Sequence, residues 1–165
     1  MNKENLEDGK KESKTTNERY LQFSLGKETY AIQLLAVKEV IPPPDTTPLP
    51  NSPSYYIGIM NLRGQIISII DLRKKLNIVP QKEHLEEAVI IVQVGTVGIG
   101  LIVDSINKVL NIASNSISEV PEVSSQVNAK YIEGVYQEEK NLTILLDIES
   151  ILNLNEIKNI QNKAA

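Results

Sequence analysis

The strongest constraint on this chain is that it repeats itself. The stretch LQFSLGKETYAI, residues 21–32, aligns with IIVQVGTVGIGL, residues 90–101, at an offset of 69, bringing Phe23 onto Val92, Gly26 onto Gly95 and Ile32 onto Leu101. The same offset carries Val37 onto Ile106 and Val40 onto Val109. A second block, YYIG…IIDLRKKLN, aligns with YIEG…LLDIESILN at an offset of 76, pairing Tyr55 with Tyr131, Gly58 with Gly134, Asp71 with Asp147 and Asn77 with Asn153. Two blocks in the same order with nearly the same spacing describe one structural plan used twice.

The repeated unit is β-structure. Short apolar, β-branched runs separated by turn residues predict strands over residues 19–25, 28–33, 37–41, 56–62, 65–70, 88–94, 97–103, 106–111, 131–137 and 141–146. Helical signals are few and short, so the fold class is mainly β, with two units of about five strands each. Five strands suffice to curl into a small barrel, which hides sheet edges. The uncharged stretch of residues 88–103 is shorter than the ~20 residues of a spanning helix, and VGTVG breaks it into two strands. The loop of residues 42–53 holds six of the eight prolines and reads as a stiff, extended connection rather than a central strand.

Composition removes several function classes. With 41% hydrophobic residues, the chain can build a core without staples. It has no cysteine, which excludes disulfides, thiolate metal sites and cysteine nucleophiles. The lone histidine, His84, sits in the charged stretch QKEHLEE and reads as an exposed loop residue. A net charge of −4 and 4% aromatic residues do not suit a nucleic-acid surface. The first 17 residues read as a disordered polar leader with no signal-peptide core. Residues 18–154 then form the folded domain, and residues 155–165 a closing helix or tail. A cytoplasmic protein, not inserted in a membrane, is expected.

No cofactor or metal site is expected, and no enzyme. Asp71 and Asp147 look like paired catalytic carboxylates, but each directly precedes a short helix-prone run, LRKKLN or IESILN. Capping of free backbone N–H groups explains both through the repeat. Asn77 and Asn153 then fall where a left-handed terminating residue is tolerated. Gly58 and Gly64 are assigned to turns. The glycines of VGTVGIG are not the dinucleotide fingerprint, and a hairpin accounts for them. Asn61 and Arg63 stand apart, because their repeat partners are Gln137 and Glu139. The scaffold therefore does not demand Asn-x-Arg at this hairpin tip, and a planar fork of donors there points to a partner-facing or network role.

FSLGKETYAIQLLAVKEVI, TPLPNSPSYYIGIMNLRGQIISIIDLR and VGIGLIVDSINKVLNI together resemble the CheW family of bacterial chemotaxis coupling proteins, over residues 19–153. The resemblance implies two five-stranded SH3-like β-barrel subdomains with short helices. It further implies a non-enzymatic adaptor that couples methyl-accepting chemoreceptor cytoplasmic tips to the regulatory domain of the CheA histidine kinase, recruited to membrane-bound receptor arrays. The runners-up are a CheW-like regulatory module of another chemosensory or two-component system, and a small β-barrel enzyme. By the same resemblance, Val37, Glu39 and Arg63 belong to receptor and kinase coupling, and Ile106 and Val109 to a hydrophobic patch between the subdomains. The chain departs from the family in carrying Ser68 where many members have proline, a change expected to matter little, and in its proline-rich loop.

Within VKEVI, alternation puts Val37, Glu39 and Ile41 on one face. An acid on an otherwise apolar face needs a partner, and Arg63 at the next hairpin tip is the expected one.

Overall fold

The structure is a computed structural model and describes residues 16–79, 86–120 and 127–163. His84 and most of the leader lie outside the described residues. Eleven strands run in chain order as β1 (Asn17–Leu25), β2 (Glu28–Gln33), β3 (Val37–Ile41), β4 (Tyr56–Leu62), β5 (Gln65–Asp71), β6 (Ala88–Val94), β7 (Val97–Val103), β8 (Ser105–Ala113), β9 (Ile117–Ser118), β10 (Ile132–Glu138) and β11 (Asn141–Leu146). Among the described residues two short helices follow strand ends, α1 (Leu72–Lys75) and α2 (Ile148–Ile151), and a third, α3 (Leu154–Lys163), follows α2. Asn17 opens β1, and the Thr16 carbonyl accepts a 2.8 Å bond from the Ser114 N–H.

The strands form two sheets, one of six in the order β8-β1-β2-β11-β10-β9 and one of five in the order β3-β6-β7-β5-β4. The orders become the same on exchanging the two halves of the repeat, with β1 for β6, β2 for β7, β3 for β8, β4 for β10 and β5 for β11. The register agrees residue by residue. Phe23 faces Ile106 in one sheet, and Val92 faces Val37 in the other. Both sheets have one parallel junction, where Ile144 meets Tyr30 and, at the repeat-related place, Ser68 meets Ile99.

Each sheet is therefore built from both halves. The expected two units of about five strands each are present as sheets of six and five strands, and neither is a continuous stretch of chain. The first hairpin of each half inserts into the sheet completed by the other half. Alternation along a strand fixes which residues face a core, but not which core they face. The chain changes sheets through the 3-10 turn of Leu34–Ala36 between β2 and β3, and at Asp104 between β7 and β8.

Three apolar clusters follow from this plan. The largest draws on both sheets, with Phe23, Tyr30, Ile32 and Ile144 from one and Ile70, Ile90, Val92 and Leu101 from the other. Two smaller clusters draw on one sheet each: Tyr20, Ala31, Leu110, Ile112 and Leu145 in the six-stranded sheet, and Ile67, Ile69, Val89 and Ile91 in the five-stranded one. Each sheet thus curls around a small core of its own and packs its other face on its neighbour. The ladders do not close, so β3 and β4 remain the two edges of the five-stranded sheet.

Gly58 lies inside β4 rather than in a turn. The ladder slips register between Tyr56 and Gly58, and a Cβ on Gly58 would sit 2.5 Å from the Thr47 carbonyl oxygen. Thr47, in the proline-rich loop, makes a two-bond bridge with Ile59 at 2.9 Å in each direction, covering the outer edge of β4. Repeat-related Gly134 sits at the same slip beside Ser118 of β9. The loop is thus the reduced counterpart of β9, a two-residue strand that sequence patterning did not reveal.

Candidate partner-binding surface

Arg63 and Gly64 form the tip of the β4–β5 hairpin, both with positive φ, 53° and 83°. Two-residue hairpin turns favour such angles because they match strand twist. Glycine adopts them freely, and arginine does so only under constraint. Asn61 supplies part of that constraint, its side-chain oxygen accepting from the Gly64 N–H at 2.8 Å. Its amide is thereby spent on shaping the turn.

The Arg63 fork reaches β3. Its two terminal nitrogens donate to the two Glu39 carboxylate oxygens at 2.8 and 3.0 Å. Arg63's side chain is 74% exposed and Glu39's 28%. Hydrogen bonds from Arg63, followed by its charge, hold the Glu39 carboxyl below the usual glutamate range. The pair joins β4–β5 to β3 where no backbone ladder does, closing the mouth of the five-stranded sheet by side chains. Beside it lies an open groove of about 490 Å3, lined among others by Lys38, Glu39, Arg63, Ile67, Ile91 and Gln93.

Val37 is not on the Glu39 face. The β3–β6 register shifts between Val37 and Glu39, and this bulge turns Val37 toward the shared core beside Val92. Glu39 pairs with Ile91 and Ile41 with Val89, both on the curl-core side. One extra residue in a strand inverts the alternation beyond it. The carboxylate thus sits over an apolar floor, as expected, but Val37 is not its companion.

Ile106 and Val109 are on β8, an edge of the other sheet. Ile106 is half-buried against the shared core opposite Phe23, while Val109 is 49% exposed. The structure thus brings together Glu39, Asn61 and Arg63, and sets Ile106 and Val109 apart. Sequence reasoning passed over Leu35, which is 99% exposed in the turn where the chain changes sheets.

Asp71 accepts from the Arg73 and Lys74 N–H groups at 3.0 and 3.4 Å at the start of α1. Asp147 accepts from the Glu149 N–H at 3.2 Å at the start of α2. Asn77 has a left-handed φ of 56°, but Asn153 does not terminate a helix in that way. It accepts from the Glu156 N–H at 3.1 Å and so opens α3.

Arg73, also passed over, is buried. Its guanidinium donates to both Asp71 oxygens at 3.1 Å, to Asp104 at 2.8 Å and to Glu87 at 3.4 Å. Asp104 in turn accepts from the Gly26 N–H at 2.7 Å. Burial disfavours the Arg73 charge, but the hydrogen bonds and charges of Asp71 and Asp104 outweigh this and raise its pKa. The cluster ties the end of β5 to the β1–β2 turn, and hence one sheet to the other. Ser68 is fully buried, 2.6 Å from the Tyr56 hydroxyl and bonded to Gln161 of α3.

Among the described residues, no group of three or more His, Cys, Asp or Glu side chains is placed to hold a metal ion, and no helix is long and apolar enough to cross a membrane.

The CheW-like domain family model matches residues 19–156. A chemotaxis protein CheW of Treponema pallidum is 32% identical, covering 85% of this chain and 85% of its own length. Another, from Bacillus subtilis, is 31% identical, covering 83% of this chain and 88% of its own. The crystal structure of the scaffolding protein TtCheW from Thermoanaerobacter tengcongensis superposes with a TM-score of 0.77 at 30% identity, covering 86% of this chain and 91% of that one.

Proposed function

The chain belongs to the CheW family, and we propose that it couples methyl-accepting chemoreceptor tips to the regulatory domain of the CheA kinase. Its role is that of a chemotaxis adaptor, a scaffold that joins signalling components. It contributes no chemistry of its own. Residues 18–154 are the binding module, recruited from the cytoplasm to receptor arrays at the membrane.

One observation carries this reading. The Arg63–Glu39 fork stands at an open sheet mouth on a hairpin tip, and the repeat-related tip carries no arginine. A paired, solvent-facing guanidinium beside a groove of mixed polar and apolar lining suits protein recognition, in which arginine is enriched. Val37 supports the surface from beneath, and Val109 offers a second, separate patch.

Co-precipitation of the purified chain with the kinase regulatory domain and with a receptor tip fragment tests the reading. Capture of both is expected, with the kinase or receptor arm reduced by Arg63→Glu. Failure to capture either partner would overturn it.

A further inference from the structure

The β4–β5 hairpin is attached unevenly. Pairing of β5 with β7 starts at Ser68 and runs to Asp71, so the stretch before Ser68 has no ladder partner on that side, although the Ile67 side chain packs over Gly98. The tip lies roughly 10–15 Å beyond this last tie, at about 3.4 Å per strand residue. The Thr47 bridge to Ile59 holds the other strand level with Ser68, and beyond it the packing of Ile67 and the Arg63–Glu39 pair restrain the hairpin. Ser68 is therefore the fulcrum of the hairpin.

The C-terminal helix meets the hairpin at this fulcrum. Gln161 of α3 donates its side-chain N–H to the Ser68 hydroxyl, which is also bonded to Tyr56 across the hairpin. Glu156 accepts from the Tyr55 hydroxyl, just before β4. Ile157 is buried, with Leu154 and Ile160 half-buried beside it. A ten-residue helix is too short to be stable alone, so these few contacts decide whether it stays in place.

We propose that α3 is a positioning element for the recognition hairpin: through Gln161 and Ser68 it sets the angle at which Arg63 is presented. This rests on the reading of Arg63 as a partner-facing residue. Gln161 touches no partner in this arrangement and acts only through the hairpin. A ligand or modification that lifts α3 would therefore change binding at the mouth without touching it.

The test compares the full chain with Gln161→Ala, Arg63→Ala and both, reading affinity for the kinase regulatory domain and for a receptor tip fragment. The Arg63 side-chain Nε–H resonance is followed in the unbound protein, and thermal melting is recorded alongside. Gln161→Ala is expected to move the Arg63 resonance and weaken binding about three- to tenfold, with melting little changed. In the Arg63→Ala background it should have no further effect on binding. An unmoved Arg63 resonance, or a binding loss that simply multiplies with that of Arg63→Ala, would overturn the proposal. If Arg63→Ala itself leaves binding intact, the partner-facing reading fails. The resonance then still decides whether α3 sets the hairpin.

Discussion

Arg63 and Glu39 join the two open edges of the five-stranded sheet through a fork of 2.8 and 3.0 Å, and the other sheet carries the same device with its charges reversed. There Lys108 of β8, related to Glu39 by the 69-residue offset, bonds Glu138 beside the β10–β11 tip at 3.1 Å. An ion pair from the strand β3 or β8 to the tip of the later hairpin thus belongs to the repeated plan, although in the six-stranded sheet β9 flanks β10, and the bidentate geometry belongs to one mouth.

Reversal of that polarity is informative. Arg63→Glu and Glu39→Arg should each weaken partner binding, while the double exchange restores the internal pair and not the arginine at the tip. Binding restored in the double variant would show that the pair acts by shaping the mouth. Binding still lost would make Arg63 a direct contact. The folded Glu39 pKa lies below its unfolded value, so the pair's contribution is present above the ordinary glutamate range. It should fade as pH falls through the lower folded value, which side-chain carboxyl NMR across pH 2–6 would follow.

Arg73→Ala should be far more damaging than any exposed change. It leaves the buried Asp71 and the half-buried Asp104 without their cation, and breaking a buried pair costs roughly 3–5 kcal/mol. Arg73→Lys should rescue poorly, because an ammonium cannot span both carboxylates as the fork does. Urea unfolding of the two variants beside the parent measures this.

Ile106 and Val109 should separate when each is changed to aspartate. Ile106→Asp forces a carboxylate against the shared core, at a cost of about 1–3 kcal/mol or more. Val109→Asp faces solvent and should leave melting nearly unchanged. A loss of receptor-fragment binding with Val109→Asp, at unchanged circular dichroism, would mark β8 as a second contact surface.

Glu133 tests the opposite pH sign. Crowding of its carboxyl by neighbouring side chains, then the charges of Asp147 and Glu18, raise its pKa. By surface area the residue as a whole is exposed, so the effect should be small. A folded pKa above the unfolded one lowers stability as pH rises through that folded value. Glu133→Gln should therefore melt higher than the parent at pH 7, with the difference vanishing below about pH 4.

Strand positions were legible because each apolar run ends at a turn residue that the fold uses, such as Gly26 and Gly95 with φ near 60°. The partnership of Glu39 with Arg63 was legible from an acid among apolar neighbours. The placement of Val37 was not, since a bulge leaves no mark in a five-residue strand. Arg73 stands in the run Arg-Lys-Lys, whose three cations sequence alone does not tell apart. Only the approach of Asp104 and Glu87 from distant strands makes one of them a buried hub. The exchange of hairpins was hidden for a similar reason, because alternation is local and sheet membership is not.

That exchange also bears on how the chain is made. The β1–β2 hairpin leaves the ribosome early, yet Thr29 awaits Thr143, 114 residues later, and Leu21 awaits Val109. At roughly 5–20 residues per second, the hairpin spends on the order of 4–18 seconds with both edges unpaired. The first half of this protein is therefore a nascent chain that cannot shelter itself. Its exposure to aggregation and to chaperones is set during translation, well before the finished adaptor meets any partner.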